Sequence, residues 1–138
     1  MEMRRVVVTG LGSLTPIGNT VEEYWQGLVN GVSGAAPITH FDASQAKTQF
    51  ACEVKGFDAN KFCDRKEGRK YDRFSQYGIV AAEQAVTDCN VDFEKINKER
   101  AGVIWASGIG GIVTFQEEIT NFVKGDGSLR FSPYFIPK

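Results

Sequence analysis

The stretch that most constrains this chain is residues 101 to 111, an apolar run that ends in glycine. Ala101-Gly-Val-Ile-Trp-Ala-Ser107 is short, β-branched and aromatic, the composition of a buried strand. It runs directly into Gly108-Ile109-Gly110-Gly111, with three glycines in four positions. Without a Cβ, the backbone there can turn sharply and another group can come close. Ile109 is the one large side chain in the turn, and flexible backbone on either side would let it swing. These residues alone leave both a gate and a plain turn residue open.

The rest of the chain sets the setting for that turn. With 138 residues it is at most one domain, long enough for a real core. With a net charge of −1 the chain as a whole is not built to bind a polyanion, which only a local basic cluster could do, and no nucleic-acid partner is expected. Only three valines separate Arg5 from Thr9, too few for a signal core, and no run approaches the about 20 apolar residues of a membrane span. Cys52, Cys63 and Cys89 are odd in number and lack a C-x-x-C, which points to free, buried thiols in a reducing cytoplasm. With His40 as the one histidine and no zinc-type spacing, neither a metal nor another cofactor is expected.

Taken in order, Arg4 to Thr9 reads as a first strand, its Val6-Val7-Val8 suited to a sheet covered on both faces. Gly10 and Gly12 invite a dinucleotide-binding reading, but the G-x-G-x-x-G pattern fails at Thr15 and Pro16 interrupts the helix it needs. A glycine-rich strand exit fits better. Thr20-Val-Glu-Glu23 is a capping box that opens a helix ending at Gly31. Residues 32 to 58 are irregular, with a short strand at Phe50 to Val54 and His40 in a structural role.

Arg65 to Arg73 carries five basic and two acidic side chains in nine positions. As a helix it would place Lys66, Arg69 and Lys70 on one face, either as a solvated start or as a docking spot for an acidic partner. The helix then continues from Tyr71 to Cys89. Its apolar face of Phe74, Gly78, Ala81, Ala82, Ala85, Val86 and Cys89 is mostly small, so another element can pack very close. Cys89 near the C-terminal end is a poor nucleophile, because the helix dipole disfavours a thiolate there. Ile112, Phe115, Ile119, Phe122 and Val123 set a further helix, ended by Gly125-Asp-Gly-Ser128. The segment Arg130 to Lys138 is rich in aromatics and asks for a partner surface. Strand, helix, excursion, helix, strand, helix argues an α/β class.

Several of these pieces occur together in one order. They are Arg4-Arg-Val-Val-Val-Thr-Gly-Leu-Gly12, Pro16-Ile-Gly-Asn-Thr20, Arg65-Lys-Glu-Gly-Arg-Lys70, Gln76-Tyr-Gly78, Ser107-Gly-Ile-Gly-Gly111 and Ser132-Pro-Tyr-Phe-Ile-Pro137. Over essentially its whole length the chain resembles the N-terminal part of the β-ketoacyl-acyl carrier protein synthases, most closely the type II branch of bacterial fatty-acid synthesis. The resemblance implies a thiolase-like, layered α-β-α-β-α fold, of which residues 1–138 form an incomplete N-terminal portion. It implies a cytoplasmic homodimer that uses acyl carrier protein as partner and elongates acyl chains by decarboxylative Claisen condensation.

Such a reaction needs a thiolate, two histidines and an oxyanion site. The resemblance puts the nucleophilic cysteine, both histidines and an accompanying lysine beyond Lys138, so no catalytic residue is assigned here and the chain alone is expected to be inactive. It makes Ile109 a gate of the acyl pocket, on a loop of Gly108, Gly110 and Gly111. Tyr134 and Ile136 would reach across the dimer to line the partner's pocket, Tyr134 carrying a hydroxyl where the family more often has Phe. Lys66, Arg69 and Lys70 would meet the acidic carrier protein. The rivals are a type I synthase or polyketide ketosynthase, a non-catalytic subunit of the chain-length-factor kind, and a nucleotide-binding module on Gly10 and Gly12.

Overall fold

Thr20 begins the first helix, α1 (Val21–Val29), by accepting the Glu23 amide at 3.2 Å on its hydroxyl. Glu23 reaches back to the amide of Asn19 at 2.7 Å, one residue earlier than the capping box requires. Gly31 closes the helix at φ +64°, its amide on Leu28 O and that of Val32 on Gly27 O, the pair of bonds that satisfies a helix C-terminus.

The computed structural model describes residues 3, 5–61, 64–125 and 130–135. They divide into two compact units, Met1–Phe57 with Val80–Asp92, and Asp58–Ile79 with Phe93–Lys138.

In the first unit β1 (Ala36–Pro37) pairs antiparallel with β2 (Phe50–Ala51), in the register Ala36 to Ala51 and Pro37 to Phe50. The strand expected over residues 50–54 is thus two residues long. Beyond it Glu53 works as a clasp across the excursion. Its carboxylate accepts the Thr39 hydroxyl at 2.6 Å, the Thr39 amide at 3.1 Å and the His40 amide at 3.4 Å. Those bonds, the hydroxyl foremost, hold its carboxyl below the usual 4.5. The His40 ring lies 3.9 Å from the same carboxylate, a structural setting for the histidine.

The basic segment forms two helices where one continuous helix was expected. α2 (Arg65–Gly68) is a single turn capped by Asp64, and α3 (Arg73–Cys89) starts afresh after Asp72. The break is stabilised by Gln76, whose side-chain amide donates to the carbonyls of Gly68 at 2.8 Å and Tyr71 at 3.0 Å. Gln76 thus adds a partner to the Gly68 carbonyl, which also accepts the Tyr71 amide at 3.4 Å, and holds the Tyr71 carbonyl in the connecting turn. Asn90, in the left-handed region at φ 48°, follows α3.

The small stripe of α3 receives a close neighbour, as its composition requires. A Cβ on Gly10 would lie 2.2 Å from Ala85 O, and one on Gly12 2.0 Å from Ala81 O. Side chains of α3 pin the same segment: Asp88 accepts the Leu11 amide at 2.8 Å and Gln84 accepts that of Ser13 at 3.0 Å. Gly10 and Gly12 therefore serve helix packing, and this contact accounts for both without a nucleotide. In the second unit Gly78 is covered in the same way by the Trp105 ring, 2.6 Å from where a Cβ would stand.

Two further expectations fail. Residues 5–9 and 101–107 form no ladder among the described residues, and their side chains are exposed, Val6 at 89% and Ile104 at 99%. A strand needs a second strand to take its backbone groups, and no neighbour among the described residues supplies one. The cysteines also differ from the buried expectation: Cys52 is exposed, Cys89 is half-buried, and Cys63 lies outside the described residues. Val80, 3% exposed, is the one buried apolar core side chain among the described residues.

Candidate functional site

Every described residue of the expected site belongs to the second unit. The turn after Ser107 is tethered locally. The Gly110 amide donates to Ser107 Oγ at 3.0 Å, and the Ile112 amide to Gly110 O at 3.0 Å. Gly110 takes φ +72°, a conformation that side chains resist, whereas Gly108 has no atom within 4 Å of a would-be Cβ. Between them Ile109 is 75% exposed. The loop read as mobile from its glycines is thus anchored at its C-terminal side and unhindered at Gly108.

Gly111 then opens α4 (Ile112–Lys124), which has no side-chain cap of its own. The aromatic segment packs back on α4 of the same chain. Phe135 stacks on Phe115 with centroids 5.9 Å apart and on Phe131 at 5.4 Å, while Phe131 meets Phe122 at 5.7 Å. Glu118 accepts the Ser132 amide at 3.2 Å. Tyr134 stays exposed beside this cluster, its amide donating to Ser132 Oγ at 3.2 Å. Ile136 lies outside the described residues.

The cations are not equivalent. Lys66 sits in α2, Arg69 is its C-terminal cap, and Lys70 follows in the turn. Lys70 is bonded to Glu67, which raises its ammonium above the usual 10.5, with smaller contributions from the Glu67 charge, Tyr134 and Tyr71. Lys66 and Arg69 are exposed and make no ion pair among the described residues, as is true of Arg65 and Arg73, so the outward charge of the segment rests on these four. Among the described residues no three His, Cys, Asp or Glu gather as metal ligands. Nor is any helix among them long and apolar enough to cross a membrane.

Residues 3–138 match the family model described as beta-ketoacyl synthase, N-terminal domain. The chain belongs to the β-ketoacyl synthase family. It is similar to the 3-oxoacyl-[acyl-carrier-protein] synthase 2 of Synechocystis, at 45% identity over 137 residues, which is 99% of this chain and 33% of that one. The Vibrio harveyi synthase 2 is 44% identical over the same span, 99% of this chain and 33% of that one. The Staphylococcus aureus (strain COL) synthase 2 is 42% identical over 134 residues, 97% of this chain and 32% of that one.

Solved ketosynthases share the fold. The ishigamide ketosynthase/chain length factor matches with a TM-score of 0.84 at 30% identity, covering 98% of this chain and 34% of that one. A type II polyketide ketosynthase, solved in complex with its acyl carrier protein, matches at 0.71 and 26% identity, covering 93% of this chain and 34% of that one. The chain spans about a third of the length of these β-ketoacyl synthase relatives.

Sequence reasoning missed two residues of this region. Gln76, which separates α2 from α3, stood in a quoted motif without a role. Thr114, whose hydroxyl bonds Asp72, gave no signal, because the two are 42 positions apart.

Proposed function

We propose that residues 1–138 are the N-terminal portion of a 3-oxoacyl-acyl carrier protein synthase of the type II kind, a cytoplasmic homodimer with a layered thiolase-like fold. The observation that carries this is the 42–45% identity along almost the whole chain to synthases of that name. An acyl group passes from carrier protein to an enzyme thiolate, and the carbanion equivalent released when malonyl-acyl carrier protein loses CO₂ attacks it. The thiolate and its histidines belong to sequence outside these residues. Neither a metal nor another cofactor takes part, and these residues alone have no condensing activity.

In this reading Ile109, on the turn of Gly108, Gly110 and Gly111, bounds the acyl pocket, and Tyr134 and Ile136 line the pocket of the partner subunit. What supports the gate is a large apolar side chain held out on a tethered turn. Ile109→Phe, in a synthase that carries these residues as its N-terminal third, should lower kcat/KM for long acyl chains relative to short ones by about tenfold or more. An unchanged ratio removes the gate.

Lys66 and Arg69, more than the Glu67-bonded Lys70, dock the carrier protein. Reversing both charges, Lys66→Glu with Arg69→Glu, should weaken carrier binding at low salt by about tenfold, with the loss shrinking as salt rises. Equal affinity at low salt ends the docking assignment. The likeness to the ketosynthase/chain length factor supports a second reading, a polyketide ketosynthase or its non-catalytic partner subunit. The 30% identity there against 45% to the fatty-acid synthase places it second.

A further inference from the structure

We propose that Asp72 and Thr114 form a positioning clasp for the Ile109 turn, so that acyl-chain selectivity depends on a hydrogen bond between two residues assigned no place in the pocket. The inference rests on the gate reading of Ile109. Asp72 immediately precedes α3, and its carbonyl accepts the Gln76 amide at 3.0 Å as that helix starts. Its carboxylate accepts the Thr114 hydroxyl at 2.5 Å. Thr114 stands in the first turn of α4, three residues beyond Gly111, and both side chains are half-buried.

α4 has no cap of its own at Gly111, so its first turn is fixed by something other than local sequence. Among the described residues the Thr114 bond is the side-chain hydrogen bond that ties that turn to the start of α3, whereas the stacking of Phe115 on Phe135 ties it to the aromatic segment. A charged acceptor makes it stronger than a neutral pair, and the carboxylate is favoured where two helices begin. A second contact runs in parallel. Phe74, in the first turn of α3, is the atom neighbour of Gly110, its Cζ 3.8 Å from a would-be Cβ. The start of α3 thus reaches the gate turn through Phe74 and the start of α4 through Asp72. The tethers within the turn itself, Ser107 Oγ and Gly110 O, fix its shape but not its attachment. Releasing Thr114 frees the first turn of α4 and the Gly110-Gly111 backbone to shift, and Ile109 with them.

The test uses a synthase carrying these residues as its N-terminal third, with Thr114→Val, Thr114→Ser and Asp72→Ala. Expected are an about tenfold change in the kcat/KM ratio of long to short acyl substrates for Thr114→Val and Asp72→Ala, the parental ratio for Thr114→Ser, and an unchanged KM for carrier protein. The clasp is overturned if Thr114→Val keeps the parental ratio while Ile109→Phe alters it. It is equally overturned if Thr114→Ser behaves as Thr114→Val, or if carrier KM rises alike for every chain length. If Ile109→Phe itself leaves the ratio unchanged, the gate reading fails and the clasp with it.

Discussion

Two glycine-rich turns of this molecule look alike in sequence and are used in opposite ways. Gly10-Leu-Gly12 lies under α3, so close that any Cβ would overlap a helix carbonyl. Ser107-Gly-Ile-Gly-Gly111 leaves Gly108 in open space and asks for glycine at Gly110 because of φ, not because of a neighbour. The first pair lets an element come near. The second lets a backbone bend and carry an exposed isoleucine. Composition is the same; what differs is whether another backbone sits on the residue.

The largest effect that tests this contrast belongs to Gly12→Ala. In a synthase carrying these residues it should cost about 1–3 kcal/mol, read as a lower urea midpoint, because a carbonyl 2.0 Å away must move. Gly108→Ala should stay within about 0.5 kcal/mol of the parent. Equal midpoints for the two variants would break the comparison. Gly110→Ala falls between them, about 1–2 kcal/mol, since it meets little but must adopt a left-handed backbone.

The smallest effects separate the two units by charge and not by contact. Glu53 is depressed by the bonds from Thr39, so its clasp is fully present above the usual 4.5 and is lost as pH falls through its lower value in the fold. Lys70 is raised by Glu67, so that pair is fully present below 10.5 and is lost as pH rises through the raised value. Protection of the Thr39 and His40 amides, taken relative to the intrinsic exchange rate at each pH, should therefore fall in acid. Glu53→Gln should weaken protection there already at neutral pH. Acid-sensitive protection that survives Glu53→Gln would assign the effect to another group.

Much of the local structure was readable. Thr20, Gly31, Gly125 and the spacing of Ile112 to Val123 act through their nearest neighbours in the chain, so the ends of α1 and α4 follow from them. The small stripe of α3 announced a close partner without saying which. The break at Arg69 to Asp72 was not readable, because it depends on where the Gln76 side chain is spent. Nor were the exposed runs at 6–8 and 103–105: their composition suits a covered sheet, but pairing is a property of two strands and not of one.

The sequence by itself determined the family, the ends of α1 and α4 and the turn that presents Ile109, because motif order, caps and glycines act within a few residues. Tertiary structure alone decided the rest. It set Gly10 and Gly12 against a helix and joined Asp72 to Thr114. The physical reason is distance along the chain. A hydrogen bond or a steric contact between residues tens of positions apart exists only once the backbone has brought them together, and no local pattern encodes it.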